Sequence, residues 1–147
     1  MGDSAALSAL IRETRNASTR MAALAENLLE GTGISHSART TLELIEVTGP
    51  QTVPALARRR DTSRQNIQVQ IDDLRAAGLI EIVANPGHKR SVLVALSDAG
   101  RTRFREIRAR EADLLKRLAS EVEGAELRSA ATTLRALSAA LNRLASS

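Results

Sequence analysis

Residues 62–96 read TSRQNIQVQIDDLRAAGLIEIVANPGHKRSVLVAL, and the periodicity of this stretch changes once. Up to Ala77 the pattern is helical. Ile67, Ile71 and Leu74 fall within about one-quarter of a helix circumference at ~100° per residue. Thr62 and Gln65 stand three apart, the spacing of a capping box in which each side chain satisfies an orphan amide of the helix start. Gly78 ends the helix. Leu79-Ile80-Glu81-Ile82-Val83 is then rich in β-branched residues and reads as a strand. Asn85-Pro86-Gly87-His88-Lys89-Arg90 is a turn with basic residues at its tip, and Ser91–Leu96 returns as a second strand.

Working outward, Thr52 caps a short helix with Pro54 in its first turn, and Arg58-Arg59-Arg60 end it. Residues 36–47 read as another short helix, closed by Thr48-Gly49-Pro50. Two short helices joined by a tight turn and followed by a basic-tipped hairpin describe a winged helix-turn-helix. The outward side of the second helix carries Gln65, Asn66, Gln68 and Val69. Side-chain amides offer paired donors and acceptors to adenine in the major groove, and Val69 suits a thymine methyl. These four are the expected base readers. Arg58, Arg59, Arg60, Thr62, Ser63, Arg64 and Lys89 are expected on the phosphate backbone, where contacts position rather than specify. His88 and Arg90 are expected in the minor groove, whose negative potential attracts cations.

The chain ends are different. Leu7, Thr14, Met21 and Leu28 recur every seven residues, as do Leu10, Ala17 and Leu24. Leu127, Leu134 and Leu141, with Ala130, Leu137 and Leu144, repeat the arrangement at the other end. Such narrow apolar stripes need a partner helix, from the same chain or from a second copy. A third long helix is expected over 97–122. The fold class is therefore mainly α (α+β): a winged helix-turn-helix lobe over 35–100, with a helical dimerisation region formed by 1–34 and 101–147. Leu7, Leu10, Leu127, Leu134, Leu137, Leu141 and Leu144 are its expected contacts.

Composition removes several functions. The 147 residues contain no Cys, Trp or Tyr and a single Phe. Thiolate metal sites and disulfides are excluded, as are aromatic platforms for single-stranded nucleic acid. His36 and His88 have no ligand cluster beside them, so no metal or cofactor is expected. No nucleophile–base or carboxylate pair is placed to converge, so no catalytic residue is expected either. Net charge is +4. Residues 1–50 carry four Arg against six acids, whereas residues 51–92 carry seven basic groups against four acids. A positive middle suits a polyanion such as double-stranded DNA. The longest apolar run, Val92–Leu96, is far short of a membrane span, and no leader is visible in Met-Gly-Asp-Ser, so a cytoplasmic location is expected.

The hairpin and its exit, from Asn85 through Ser97-Asp98-Ala99-Gly100, together with Leu74-Arg75-Ala76-Ala77-Gly78-Leu79-Ile80, resemble the MarR family of bacterial transcriptional regulators. The resemblance extends over nearly the full chain. It implies a homodimeric repressor, or sometimes an activator, on a pseudo-palindromic operator, with a small-molecule effector bound between lobe and dimerisation helices. Arg15, His36, Arg39 and Thr40 would supply that pocket. Three positions depart from the family pattern. His88 stands where an acid often stiffens the wing, Gly87 stands where arginine is common, and Gln70 replaces an apolar residue. The last implies a slightly rotated helix or an exposed Gln70. The alternative function is a winged-helix protein–protein module, which requires an apolar outer face on residues 65–72.

Overall fold

The computed structural model describes residues 2–146. The order of elements is α1 (Gly2–Leu29), α2 (His36–Thr48), α3 (Val53–Arg59), α4 (Arg64–Ala76), β1 (Ile80–Ala84), β2 (Val92–Leu96), α5 (Asp98–Ser120) and α6 (Gly124–Ala145). The chain divides into two compact units, one ending at Arg108 and one beginning at Ala109.

In the first unit, α2, α3 and α4 surround one apolar core. Leu42, Leu56, Ile67 and Ile71 are its most buried members, joined by Val94 and Leu96 from β2 and by Phe104 and Ile107 from α5. Leu29 and Ile34 anchor the end of α1 in this core, while nearly all of α1 before Leu28 is exposed or half-exposed. β1 and β2 pair antiparallel, with Ile80 opposite Leu96 and Ala84 opposite Val92. A third backbone segment joins the sheet at one residue. Gln51 N–H donates to the Val94 carbonyl at 3.0 Å, and Val94 N–H donates back at 2.7 Å.

Caps fix the helix ends. Ser35, Thr52 and Ser63 have extended backbones and accept from the amides three residues on. The cap of α4 is thus Ser63, not Thr62 as the capping-box spacing suggested. Thr62 N–H is drawn into the preceding turn by the Ala57 carbonyl at 3.0 Å, past Asp61 at φ 49°. Asp tolerates this left-handed conformation better than most residues. α4 ends in a Schellman motif at Gly78 (φ 73°), with Leu79 N–H on the Leu74 carbonyl and Gly78 N–H on the Arg75 carbonyl.

Ser97 carries the exit from the hairpin. Its hydroxyl donates to the Gly78 carbonyl at 2.6 Å and accepts from Gly100 N–H at 3.0 Å, while its own N–H reaches the Leu79 carbonyl at 3.1 Å. A Cβ on Gly100 would lie 1.9 Å from the Leu79 carbonyl oxygen. The first turn of α5 therefore sits directly on the chain leaving α4.

The second unit holds the end of α5 and all of α6. α6 buries no residue; Leu127, Leu134, Leu141 and Leu144 are exposed, and Leu137 is half-exposed. Leu7 of α1 is likewise exposed and Leu10 is half-exposed.

Candidate nucleic-acid interface

α4 buries Ile67, Gln70, Ile71 and Leu74 and turns Arg64, Gln65, Asn66, Gln68, Val69 and Asp72 to solvent. The four expected base readers therefore share the outward surface, as the helical wheel required. Their amides are not equivalent. Gln68 Nε2 donates to Asp72 Oδ1 at 2.8 Å, one turn on. Asn66 Nδ2 turns back to Thr62 Oγ1 at 3.0 Å. The structure gives the Gln65 side chain no such tie. Asp72 thus orients an amide on this surface.

The expected backbone contacts separate into two groups. Arg58 and Arg59, in the last turn of α3, are exposed, as are Arg64, Lys89 and Arg90. None of the five is ion-paired among the described residues. Arg60 departs from this pattern. Its guanidinium points inward, donating to the Ser37 carbonyl at 2.8 Å, Thr41 Oγ1 at 2.7 Å and Gln70 Oε1 at 3.0 Å. Desolvation by this half-burial lowers its pKa from the ordinary guanidinium value. These contacts share the two hydrogens of Nη1, and Nη2 lies 3.5 Å from Ser37 Oγ, so the side chain is drawn into the lobe rather than extended toward a phosphate. Gln70, in turn, is not exposed. It is buried, and its polar atoms are matched within the lobe. Ser63 and Thr62 lie at the start of α4, with both hydroxyls used locally.

The wing tip, residues 86–90, is exposed. Where the resemblance implied an acid–base pair, Asn85 braces the turn instead. Its Oδ1 accepts from Gly87 N–H at 3.0 Å and its Nδ2 donates to Ser91 Oγ at 2.8 Å. His88 N–H bonds the Asn85 carbonyl and Ser91 N–H bonds the His88 carbonyl, both at 3.2 Å. Asn85 was read from the sequence only as a turn former.

The four residues expected to share an effector pocket have different surroundings. Arg15 is exposed on α1. Arg39 is ion-paired with Glu43, which also accepts from Arg108 at 3.1 Å, and its guanidinium lies 5.7 Å from the centre of the Phe104 ring. Thr40 Oγ1 donates to the His36 carbonyl. His36 borders a cavity of about 430 Å³ where α1 ends and α2 begins. Glu26, Asn27, Glu30 and Ile34 also line it, so its charge is acidic rather than basic. Among the described residues no group of three or more His, Cys, Asp or Glu is placed to hold a metal ion. No described helix is long and apolar enough to cross a membrane.

Residues 32–91 match the MarR family. The lobe is a MarR-type winged helix, as the motifs after Leu74 and Asn85 suggested. A crystal structure of a MarR family transcription regulator superposes with a TM-score of 0.89 at 27% identity, covering 98% of this chain and 95% of that one. FabT of Streptococcus pneumoniae, solved in complex with DNA, shares the fold at 17% identity, with a TM-score of 0.80 over 94% of this chain and 99% of its own. An uncharacterized protein of Mycobacterium tuberculosis is 38% identical over 90 residues, 61% of this chain. The match spans 63% of the length of that relative. The MarR-type lobe thus carries both the outward surface of α4 and the wing.

Proposed function

We propose that this protein is a dimeric, sequence-specific DNA-binding transcription regulator, acting as a repressor in the cytoplasm, with affinity set by a small effector. The observation that carries the reading is the outward surface of α4, bearing Gln65, Gln68 and Val69, flanked by exposed Arg58, Arg59, Lys89 and Arg90. Base edges ask for amides and phosphates ask for cations; the exposed amides lie on α4, and Arg58, Arg59, Lys89 and Arg90 lie on α3 and the wing. Gln65, Asn66, Gln68 and Val69 read bases, with Asn66 first releasing Thr62. Arg58, Arg59, Arg64 and Lys89 hold the backbone, with Thr62 and Ser63 at the helix start beside it. His88 and Arg90 enter the minor groove. Only Val69 among the outward residues 65–72 is a large apolar group, which disfavours a protein-docking role for this surface.

The exposed leucines of α1 and α6 supply the dimer interface, in a helical region distinct from the lobe at 35–100. The two copies of α4 then read half-sites roughly 10 bp apart, centre to centre. The effector occupies the cavity at His36. No catalytic step is assigned to the chain.

The test is fluorescence anisotropy on an operator recovered from DNA flanking the protein's own gene, at several salt concentrations and on single-base variants. Gln68→Ala should change which variants are preferred and leave the salt slope nearly constant. Arg59→Ala should weaken all sequences alike and reduce the slope by roughly one unit per lost contact. The reverse outcome would mean that the two surfaces are wrongly assigned. Absence of any sequence preference would remove the function.

A further inference from the structure

We infer that Arg60 is a positioning residue for α4: a closed ring of hydrogen bonds joining it to Ser37, Thr41 and Gln70 sets the rotation of the helix about its own axis. The inference rests on the DNA-binding reading of α4, because it concerns which side chains that helix presents.

The ring spans three helices. Arg60, at the C-cap of α3, donates to Ser37 and Thr41 of α2 and to Gln70 of α4. Thr41 Oγ1 donates to Gln70 Oε1 at 2.7 Å. Gln70 Nε2 donates to Ser37 Oγ at 2.9 Å, closing the circuit. Arg60 has only donors, so the amide oxygen of Gln70 must face it and the amide nitrogen must face Ser37. One orientation of Gln70 satisfies every member. No buried side-chain polar atom among the described residues lacks a partner.

The rest of the α4 contact with the core is apolar, through Ile67, Ile71 and Leu74. Apolar burial is non-directional and tolerates small rotations. Hydrogen bonds do not. A side-chain tip about 6 Å from the helix axis moves roughly 1 Å for each 10° of rotation. A 10° turn would therefore carry Gln70 from bonding distance to beyond about 3.5 Å from its partners. The same turn would displace the tips of Gln65, Gln68 and Val69 by a similar distance, enough to misplace a paired base contact. The polar ring thus supplies an angular constraint that the aliphatic contacts lack.

The test uses the full chain with Arg60→Met, Arg60→Lys and Gln70→Leu, measured by anisotropy as above and by amide hydrogen exchange without DNA. Positioning predicts that Arg60→Met and Gln70→Leu each reduce discrimination against single-base variants about tenfold. It also predicts an unchanged salt slope. Arg60→Lys should fail to restore discrimination, because lysine keeps the charge but its ammonium ends one bond short of the position of Nη1, which makes the bonds of the ring. Exchange over residues 64–76 should rise about tenfold in Arg60→Met and Gln70→Leu relative to 53–59. A reduced slope with discrimination intact, or rescue by lysine, would overturn the inference and restore Arg60 to the phosphates. If the unmutated protein shows no sequence preference, the DNA-binding reading has failed. The exchange measurement then still decides whether the ring holds α4, and unchanged exchange rejects it.

Discussion

Replacing Gly100 by alanine should destabilise the protein, although alanine is the better helix former. The added Cβ would stand 1.9 Å from the Leu79 carbonyl oxygen, whereas ordinary contact begins near 3.4 Å. The first turn of α5 and the chain at Leu79 must therefore part by about 1.5 Å. That separation breaks the bonds from Ser97 to the Gly78 and Leu79 carbonyls, now 2.6 and 3.1 Å long. Two hydrogen bonds contribute about 1 kcal/mol each. Prising α5 away from Leu79 in a packed core costs about 1–3 kcal/mol more. Alanine returns up to about 1 kcal/mol through helix propensity. The net expectation is a loss of about 2–4 kcal/mol. Urea unfolding at fixed protein concentration should show a lower midpoint with an unchanged m-value. A variant as stable as the unmutated protein, or more stable, would refute the close approach of α5 to Leu79.

Leu134→Glu places a carboxylate on the exposed stripe of α6 and should shift the protein toward monomer in light scattering; a monomeric unmutated protein would end the dimer proposal. Ser63→Ala should cost about 1 kcal/mol through loss of the α4 cap, and Thr62→Ala distinctly less, as measured by thermal unfolding. Leu56→Ala should cost about 2–5 kcal/mol, because Leu56 is fully enclosed by the core. Asn85→Ala releases both side-chain braces of the wing, so amide exchange at Gly87 should accelerate while the midpoint of unfolding moves little.

The elements were legible where one period ran long enough to average over local exceptions. Ile67, Ile71 and Leu74 gave the core side of α4, and Asn85-Pro86-Gly87 marked the turn between β-branched runs. The seven-residue leucine series at the chain ends gave α1 and α6. The ring around Arg60 was not read, although its members share a pattern. Arg60 lies four residues after Leu56, Thr41 four before Ile45, and Gln70 three after Ile67. Each is a polar residue at a core position of its own helix, and such residues must find one another. Treating Arg58-Arg59-Arg60 as one basic run concealed this spacing. Thr62 and Ser63 are both good caps; the choice between them depends on the turn at Asp61, a geometry with no periodic signal. The surroundings of Arg39 were not read either: Glu43, one helical turn on, pairs with its guanidinium, and Phe104, distant in sequence, lies beneath it. The single-residue pairing of Gln51 with Val94 is too short to leave any pattern.

That pairing bears on how the protein avoids its own aggregation. A two-stranded hairpin exposes unpaired amides and carbonyls along its outer edges, and an open edge invites a strand from another molecule. Gln51 occupies both free backbone groups of Val94, midway along β2. It cannot itself start a longer ladder: Pro50 precedes it, and Thr52 turns the chain at once into α3, with Pro54 in the first turn. One residue thus closes the middle of an edge that would otherwise accept a neighbour's strand. The prolines beside it keep the closing segment from becoming an edge in its turn.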